Sequence, residues 1–435
     1  MTEFRPFRLP AQSASRLRIA LFSGNYNCTK DGSNGALNKL VARLLERGAA
    51  VRVYSPTTAR PAFEPTGTLI SVPSLAIPGR SDYRVALGLP RHVREDVDRF
   101  SPNVVHVSAP DFLGTSAQWY ANERCLPIVA SFHTRFDTYL EYYRIGFLRD
   151  WLRERQARFY QNADVVLAPN DAIANDLLVM GVVESSIRHW GRGVDASRFN
   201  AAHRDLNWQR MHGIADADVV VAFLGRLVVE KGIRLFAAVI EALARTGCRV
   251  RPVVIGSGPA DRSFRKLLPG ALFLGHLDGN ELNTALASCD ILLNPSKTEA
   301  FGNVILEAMA SGLAVVSADE PSAQALITNG IDGLLADGRV SELASGVRWL
   351  VEEPDARKEI GAAAQRTSAA HRWNPVNDEA IDTYLELLAH SHRTIVGQPM
   401  PNKGRPRLAG RSESPRRRFD FPPTTGHDRS PSIHP

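Results

Sequence analysis

Two series of short apolar runs, separated by helical stretches, organise this chain. The first comprises LRIALFS (17–23), AVRVYS (50–55), NVVHV (103–107), PIVASF (127–132) and DVVLAP (164–169), and the second comprises VVVAFLG (219–225), RPVVIGSG (251–258), DILLNP (290–295) and LAVVSA (313–318). Continuous β-branched runs of this kind are typical of parallel strands that are buried on both faces. The pattern therefore predicts an α/β protein with two doubly wound, Rossmann-like parallel-sheet domains.

The two series also set the expected domain boundaries. We expect the first domain at residues 16–197 and the second at 198–374. The later pattern VNDEAIDTYLELLAHSH predicts a further helix within residues 375–395. Residues 396–435 are rich in Pro, Gly and Ser and have little apolar surface to bury, which predicts a disordered basic tail.

Composition is that of a soluble globular protein. The chain has 435 residues, 44% apolar and 23% charged, which suits two domains of similar size. No apolar run reaches the roughly 18–20 residues of a membrane span, and the short N-terminal run LRIALF predicts a first strand and not a signal peptide. Four cysteines without metal spacing indicate reduced thiols in a cytoplasmic protein.

The basic net charge is concentrated in the tail, where residues 397–435 hold eight basic and three acidic side chains. Such a distribution is weak evidence for nucleic acid, and we expect no nucleic-acid partner. The tail can contact acidic lipid headgroups at the inner face of the plasma membrane, although a solvated tail without a role is favoured. Residues 139–161 mix aromatics with arginines at helical spacing, which fits a membrane-surface helix or, as we favour, a helix packed on its own domain.

The most informative run is NPSKTEAFGNVILEAMASGLAVVSADEP (294–321), which predicts strand, turn, helix and strand. Its turn falls at the carboxyl edge of a parallel sheet, where open α/β folds bind ligands. The amides of Ala300, Phe301, Gly302 and Asn303 begin a helix and predict an anion site. Glu307 is the one charged residue of that apolar helix, and a buried carboxylate needs partners such as ligand hydroxyls or basic side chains.

Three further motifs follow predicted strands. LGRLVVEKGI (224–233) places Arg226 and Lys231 where cations can stabilise a departing diphosphate. SGNYNCTKDGSNGALNKL (23–40) is a glycine-rich turn before a helix, and its Gly35 permits close approach of a ligand to the backbone. His133 follows PIVASF and is expected at the strand end, where a lone histidine is more often structural than catalytic.

The spacing of Glu299 and Glu307 within PSKTEAFGNVILEAMASG resembles the retaining GT-B glycosyltransferases of glycosyltransferase family 4. More narrowly, it is similar to bacterial α-mannosyltransferases that use GDP-mannose, and related motifs recur between residues 19 and 372. The resemblance implies a GT-B fold: an N-terminal acceptor domain and a C-terminal nucleotide-sugar domain face each other across a cleft, and the last helix crosses back onto the first domain.

The resemblance also implies roles for individual residues. Arg226 and Lys231 would hold the diphosphate, Glu299 the hydroxyls of the donor sugar, and Glu307 the ribose hydroxyls. His133, in a phrase like the family's HT-aromatic segment, would bond donor-sugar hydroxyls near the anomeric carbon. The remaining donor-binding positions that it implies are Gly35, Ala300, Phe301, Gly302 and Asn303, with the backbone near His276 and Leu277 next to the base.

Other signals are equivocal or negative. Arg192 and Asp195 in WGRGVDASRF resemble a family signature that orients the hinge or faces the cleft, and a purely structural turn is at least as good an interpretation. The strings DVD (96–98) and DAD (216–218) predict solvated acids, so we expect no metal and no cofactor. The stretch 318–335 lacks the paired glycines common in the family, which puts donor-sugar selectivity in doubt.

The sequence thus predicts a metal-independent retaining glycosyltransferase that moves a hexose, with mannose from GDP-mannose favoured, to a lipid or glycan acceptor. A UDP-sugar donor carrying glucose, glucuronate or sulfoquinovose stays open, as does a noncatalytic sugar-nucleotide binding protein. A nucleotide-sugar epimerase is a further rival of the same fold class. A dehydrogenase is disfavoured because GSGPAD carries Asp261 where the dinucleotide fingerprint needs its third glycine.

Overall fold

The structure is a computed structural model that describes residues 13–29, 32–77, 80–133 and 149–397. Residues up to Ser391 form one compact unit, and this unit contains both parallel sheets.

The first sheet has seven parallel strands in the order β3-β2-β1-β6-β7-β8-β9. They are β1 (Arg18–Phe22), β2 (Ala50–Ser55), β3 (Thr68–Ser71), β6 (Val104–Val107), β7 (Ile128–Ser131), β8 (Val165–Ala168) and β9 (Ile187–His189). A separate antiparallel hairpin consists of β4 (Ser74–Ile77) and β5 (Arg80–Ala86).

The second sheet has six parallel strands in the order β12-β11-β10-β13-β14-β15. They are β10 (Val219–Leu224), β11 (Val250–Ile255), β12 (Leu272–Gly275), β13 (Ile291–Asn294), β14 (Ala314–Ala318) and β15 (Leu334–Ala336).

Helices cover both faces of each sheet. In the first half they are α1 (Gly32–Glu46), α2 (Arg91–Phe100), α3 (Phe112–Glu123), α4 (Arg149–Gln161) and α5 (Asp171–Val179). The later ones are α6 (Leu206–Met211), α7 (Ile233–Arg245), α8 (Asp261–Leu267), α9 (Gly279–Ala287), α10 (Asn303–Ala310), α11 (Pro321–Gln324), α12 (Val340–Glu352), α13 (Pro354–Ser368) and α14 (Trp373–Gly397).

The sequence-based prediction of two doubly wound sheets is confirmed, and each strand predicted from an apolar run is present. The strands that the pattern missed are short or lie at sheet edges, as β9 and β15 show with three residues each. A run of three or four residues has no measurable period, as TLIS in β3, IRH in β9 and LLA in β15 show. The helix predicted after the second series is α14, which is three residues longer than its pattern at the start and five at the end.

Helix α14 forms part of the hydrophobic core on one face of the first sheet. Ala380, Ile381, Tyr384, Leu385 and Leu388 lie in one apolar cluster with residues of α1 and with inward-facing positions of β1, β6, β7 and β8. The opposite face of the same sheet is covered by α2, α3, α4 and α5. The first domain therefore includes a helix from the end of the described chain.

The chain reverses its winding at one point in each sheet. In the first sheet this point lies between β1 and β6, and in the second it lies between β10 and β13. Loops that leave neighbouring strands in opposite directions open a crevice at the carboxyl edge, which is where doubly wound folds bind ligands. In the second sheet, the loops at this point carry Arg226, Lys231 and Glu299.

Candidate active site

The loop after β10 is shaped by glycines that allow it to pack against its neighbour. Gly225 and Gly256 both have φ of +141°, and a Cβ at Gly256 would overlap the carbonyl oxygen of Gly225. A Cβ at Gly258 would lie 2.5 Å from the carbonyl oxygen of Leu227, so the GSGP turn fits directly against the backbone around Arg226. These two glycines support the Arg226 loop, which explains them without a dinucleotide fingerprint.

A salt bridge between Lys231 and Glu299 connects the two loops that border the crevice. The Nζ atom of Lys231 donates to Oε1 of Glu299, and both side chains are largely buried. The next residue, Gly232, has φ of +74°, and a Cβ there would lie 2.8 Å from the carbonyl oxygen of Pro295. Close backbone packing therefore brings the cation of one loop to the carboxylate of the other.

Arg226 is held by a side chain from the first half of the chain. Its Nη1 donates to the hydroxyl of Tyr83 at 2.9 Å, and its guanidinium lies 5.5 Å from the centre of the Tyr83 ring. Tyr83 belongs to β5 of the separate hairpin. Sequence reasoning missed this contact because nothing in the pattern around Tyr83 indicates which surface the hairpin faces.

The turn at residues 300–303 begins α10 with the geometry expected of an anion site. Gly302 caps the helix with φ of +93°, a left-handed conformation that favours glycine, and Phe301 is buried. The Oδ1 atom of Asn303 is buried and has no hydrogen-bond partner in the described structure. The helix start thus combines free backbone donors with an amide side chain whose acceptor is unsatisfied.

Two contacts fix this turn against the first domain. The Nδ2 atom of Asn170 donates to the carbonyl oxygen of Ala300 at 2.8 Å, while Oδ1 of the same residue caps α5. The Asn303 amide also lies against Gly32 at the start of α1, so a Cβ there would have to displace the Nδ2 atom of Asn303. The cap signature of Asn170 after a strand could have marked it as an ordered loop residue, although its partner could not have been deduced.

Glu307 lies on the second turn of α10, partly buried, as the sequence predicted. Burial raises the pKa of its carboxyl to about 7, against which Arg198 and Lys39 act from a distance. No donor among the described residues forms a hydrogen bond with this carboxylate. The site therefore offers an acceptor that is poised for ligand hydroxyls.

His133 lies beyond the end of β7 with both ring nitrogens engaged. Nη2 of Arg192 donates to Nδ1 at 3.1 Å, and Nε2 lies 2.8 Å from the hydroxyl of Ser131. Burial, together with the neighbouring Arg192 and His106, lowers the pKa of His133 well below its ordinary value, so the ring is neutral near pH 7. A direct bond from this ring to a donor hydroxyl would require one of these two contacts to be exchanged.

Arg192 and Asp195 have different roles in the same signature. Arg192 is buried, donates to the carbonyls of Trp190 and Gly191, and places its guanidinium 5.9 Å from the centre of the Phe301 ring. Burial lowers its pKa to about 10, and no carboxylate in the described part of the chain pairs with it. Asp195 instead accepts from the backbone amide and hydroxyl of Ser197, which is a turn-forming role.

The remaining predicted donor residues lie at the same sheet edge with fewer constraints. His276 and Leu277 follow β12, and this loop is tied to the GSGP turn because the Gly256 amide donates to the carbonyl of Gly275 at 2.7 Å. Gly35 lies inside α1, and a Cβ there would meet no atom within 4 Å. The roles of Gly35, His276 and Leu277 stay predictions.

Both acidic strings make contacts within the protein: in DAD, Asp216 pairs with Arg210 and Asp218 accepts from the Ala215 amide. DVD is bound more extensively. Asp96 pairs with Arg52 and Asp98 with Arg124, and each also accepts from a tyrosine hydroxyl. In the ranges that the structure describes, no three His, Cys, Asp or Glu side chains are grouped closely enough to hold a metal ion.

The two segments considered for membrane contact are only partly described. In α4, Gln156, Phe159 and Tyr160 are buried on the first domain, whereas Trp151 is exposed. Residues 139–148 and the tail beyond residue 397 lie outside the described residues. None of the helices in the described part is both long enough and apolar enough to cross a membrane.

Two family matches, one on each sheet domain, identify the class of this protein as a glycosyltransferase. Residues 31–198 match the model of Glycosyltransferase Family 4, and residues 218–353 match that of Glycosyl transferases group 1. A GDP-mannose-dependent alpha-mannosyltransferase of Mycolicibacterium smegmatis is 31% identical over 386 residues, which cover 86% of this chain and 98% of that protein. The chain belongs to glycosyltransferase family 4, as its motifs predicted.

Two further similarities bear on donor choice and fold. The sulfoquinovosyl transferase SQD2 of Arabidopsis thaliana is 29% identical over 377 residues, covering 85% of this chain and 73% of that protein. The crystal structure of Anabaena Alr3699/HepE in complex with UDP and glucose superposes with a TM-score of 0.66 and covers 85% of this chain and 99% of that one. At 18% identity this last likeness confirms the fold alone.

Proposed function

We propose that this glycosyltransferase is a retaining, metal-independent mannosyltransferase that uses GDP-mannose and a lipid or glycan acceptor. The observation that carries the proposal is the Lys231–Glu299 pair at the winding reversal of the second sheet, beside the α10 start and the unpartnered Glu307. Cations, a helix start and two carboxylates suit the phosphates, the sugar and the ribose of one nucleotide-sugar.

The ion pair suggests how the donor is received. In the absence of a ligand, Lys231 and Glu299 pair with each other. Each charge thereby avoids the free-energy cost of burial without a partner. A nucleotide-sugar offers each of them a better partner: phosphate oxygens for Lys231 and sugar hydroxyls for Glu299. Arg226 and the amides at the start of α10 would then stabilise the diphosphate as its charge increases.

The same groups favour a route without a covalent intermediate. The bond between the anomeric carbon and the diphosphate oxygen breaks, and the acceptor oxygen attacks from the same face. The acceptor proton passes to the departing phosphate, and the nucleoside diphosphate leaves. Contacts between the two domains, such as Arg226 with Tyr83 and Asn170 with Ala300, would exclude water from the donor.

Donor choice rests on the comparisons. The mycobacterial relative supports GDP-mannose, whereas the Arabidopsis relative, a sulfoquinovosyl transferase, keeps a different donor sugar open. The loop around Glu320, where the chain departs from the family's paired glycines, lies beside Lys297 and Glu299. We propose that this loop contributes to selectivity for the donor sugar.

A lipid acceptor is supported by an aromatic and basic surface on the first domain. Phe112 and Trp119 are seven residues apart on the same face of α3 and are 54% and 68% exposed, and Trp151 of α4 is 56% exposed. The guanidinium of Arg155 lies 5.1 Å from the Phe112 ring and 5.7 Å from the Trp151 ring. Exposed aromatic side chains beside arginines suit the headgroup region of an acidic membrane. We therefore propose a cytoplasmic enzyme that makes peripheral contact with the inner face of the plasma membrane.

The test is a panel of nucleotide-sugars read by release of GDP or UDP, with a membrane lipid extract as acceptor. GDP-mannose, UDP-glucose, UDP-glucuronate and UDP-sulfoquinovose distinguish the donors, and nuclear magnetic resonance of the product gives the anomeric configuration. Release from GDP-mannose with retained configuration supports the proposal. An inverted product would contradict the retaining mechanism. Turnover confined to a UDP-sugar would contradict GDP-mannose as the donor.

Variants distinguish an enzyme from a noncatalytic binding protein. Glu299→Gln and Lys231→Met are expected to lower kcat by about 10²–10³, the usual cost of removing one electrostatic group from a transition state. Lys266→Met, which replaces an exposed lysine of α8, is the matched control. Nucleotide binding without turnover in the unaltered protein would favour a noncatalytic role.

A further inference from the structure

A continuous line of buried polar side chains joins the last helix to His133. The hydroxyl of Tyr384 on α14 lies 2.6 Å from Nδ1 of His106, and Nε2 of His106 lies 2.8 Å from the hydroxyl of Ser131. That hydroxyl lies 2.8 Å from Nε2 of His133, whose Nδ1 is 3.1 Å from Nη2 of Arg192. Tyr384, His106 and Ser131 are completely buried.

The sheet register explains how these residues meet. His106 of β6 is aligned with Val129 of β7, and Ser131 lies two residues farther along the same strand. Because side chains alternate between faces, Val129, Ser131 and His133 share the face that α14 covers. The preceding positions of this face on the two strands, Val104 and Val129, are apolar, and His106, Ser131 and His133 follow them on a diagonal towards the carboxyl edge.

The donor at one end fixes the tautomer of His133. A guanidinium can only donate, so Nδ1 of His133 accepts from Arg192 and the neutral ring carries its proton on Nε2. That proton is donated to the hydroxyl of Ser131. The contacts of His106 with Ser131 and with the Tyr384 hydroxyl continue the series to α14. A low pKa of about 3 for His106, caused by burial, and the lowered pKa of His133 agree with two neutral rings.

A second hydrogen bond from α14 supports the surroundings of His133 and Arg192. Asn377 is buried two helical turns before Tyr384, on the same face of α14. Its Oδ1 accepts from Nε1 of Trp190 at 3.1 Å. The Trp190 ring stands edge-on to His133 at 5.6 Å and lies 4.6 Å from the guanidinium of Arg192. Helix α14 therefore fixes His133 and Arg192 through two independent polar contacts.

These contacts are not what core stability alone would select. Replacing both members of a buried hydrogen bond by apolar groups of similar shape is nearly neutral, whereas an unmatched member is costly. A series of four matched bonds instead fixes one orientation and one tautomer of the terminal ring. The terminal ring is that of His133, and its partner Arg192 lies 5.9 Å from the centre of the Phe301 ring at the start of α10.

We propose that Tyr384, His106 and Ser131 are positioning residues, through which the last helix holds the His133–Arg192 pair for contact with the donor sugar. This rests on the proposed transfer function, and it adds a role for α14 in the chemistry of the site. The three residues do not touch substrate and act through His133.

The test uses the full chain with Tyr384→Phe and Ser131→Ala, two small changes at opposite ends of the series. Each is expected to lower kcat with GDP-mannose about tenfold while the donor KM changes by less than about twofold, because loss of orientation slows the chemical step more than binding. Since both changes interrupt one series, the double variant should be no slower than Ser131→Ala alone. Additive losses would show two unrelated packing defects and overturn the proposal.

Tyr54→Phe is the matched control, because Tyr54 is a buried tyrosine of the same domain whose hydroxyl bonds Asp96 at 3.1 Å, away from His133. It is expected to keep kcat within about twofold of the unaltered protein. An equal loss in this control would assign the effect to general destabilisation and overturn the positioning role.

A spectroscopic arm is independent of activity. In protein labelled with 15N-histidine, the signals of His133, assigned by their loss in His133→Gln, should show a bare Nδ1 and a protonated Nε2. Tyr384→Phe should shift these signals although Tyr384 does not touch the ring. Unchanged signals and unchanged kcat would refute the proposal, whereas loss of turnover in Glu299→Gln would leave the transferase function standing.

Discussion

Glu307 provides a prediction whose magnitude follows from the structure. Burial raises the pKa of its carboxyl from 4.5 to about 7, and each pKa unit is worth about 1.4 kcal/mol. Ionised Glu307 therefore costs the ligand-free fold up to about 3 kcal/mol, with less if solvent reaches the partly buried side chain. We expect Glu307→Gln to stabilise the protein at pH 8 by about 1–3 kcal/mol while abolishing tight donor binding.

The sign of the pH dependence distinguishes this cause from others. Below pH 4.5 the carboxyl is protonated in both the folded and the unfolded chain, and its ionisation costs nothing. Between pH 4.5 and 7 the unfolded chain ionises first, so the folded protein loses stability as the pH rises, and above 7 the full penalty is present. The gain from Glu307→Gln should therefore be small at pH 5 and largest at pH 8.

Urea unfolding of the full chain at pH 5 and pH 8, followed by circular dichroism and fluorescence, measures the difference. Two domains can unfold in separate steps, so the transition assigned to the second domain is the one to compare. Glu184→Gln, at an exposed position, is the control and should change neither transition. A gain that is equal at both pH values, or a loss at pH 8, would refute the assignment of a desolvated carboxylate.

Three further outcomes follow from the site. Tyr83→Phe removes the hydroxyl that holds Arg226, and the donor KM should rise about five- to tenfold, as expected for one hydrogen bond to a charged group; an unchanged KM would show that the contact contributes nothing to donor binding. Gly256→Ala forces a Cβ into the carbonyl oxygen of Gly225, so it should lower the unfolding temperature more than Gly213→Ala, which has φ of +67° but open space around it; equal effects would mean that backbone strain alone is felt. Turnover in excess EDTA should match turnover without it, and loss restored by Mg²⁺ would contradict a metal-independent transfer.

The sequence predicted the elements whose signal is local. Continuous apolar runs identified the central strands, because strands buried on both faces exclude polar residues. The loops of Lys231 and Glu299 could be predicted because each directly follows such a strand, β10 or β13, and carries a charged residue within a few positions of the strand end. The domain boundaries at 197 and 374 stay predictions, since the structure groups the residues up to Ser391 into one unit.

What the sequence could not predict depends on how distant segments meet. Tyr83 with Arg226 and Asn170 with Ala300 are pairs from different domains, separated by 143 and 130 positions. Their formation depends on the docking of the two domains, which no local pattern encodes. The alternation of Val129, Ser131 and His133 was visible, but the partnership with His106 needed the strand register, and that with Tyr384 needed the place of the last helix.

The contribution of α14 to the first apolar core has a consequence for biosynthesis. When the ribosome has made β9, the first sheet is complete, yet the surface that Ala380, Ile381 and Leu388 will cover is still open. At about 5–20 residues per second, roughly 10 to 40 s pass before Trp373 is added. During that interval the nascent chain exposes an apolar groove, so it should engage chaperones until the final helix emerges and closes it.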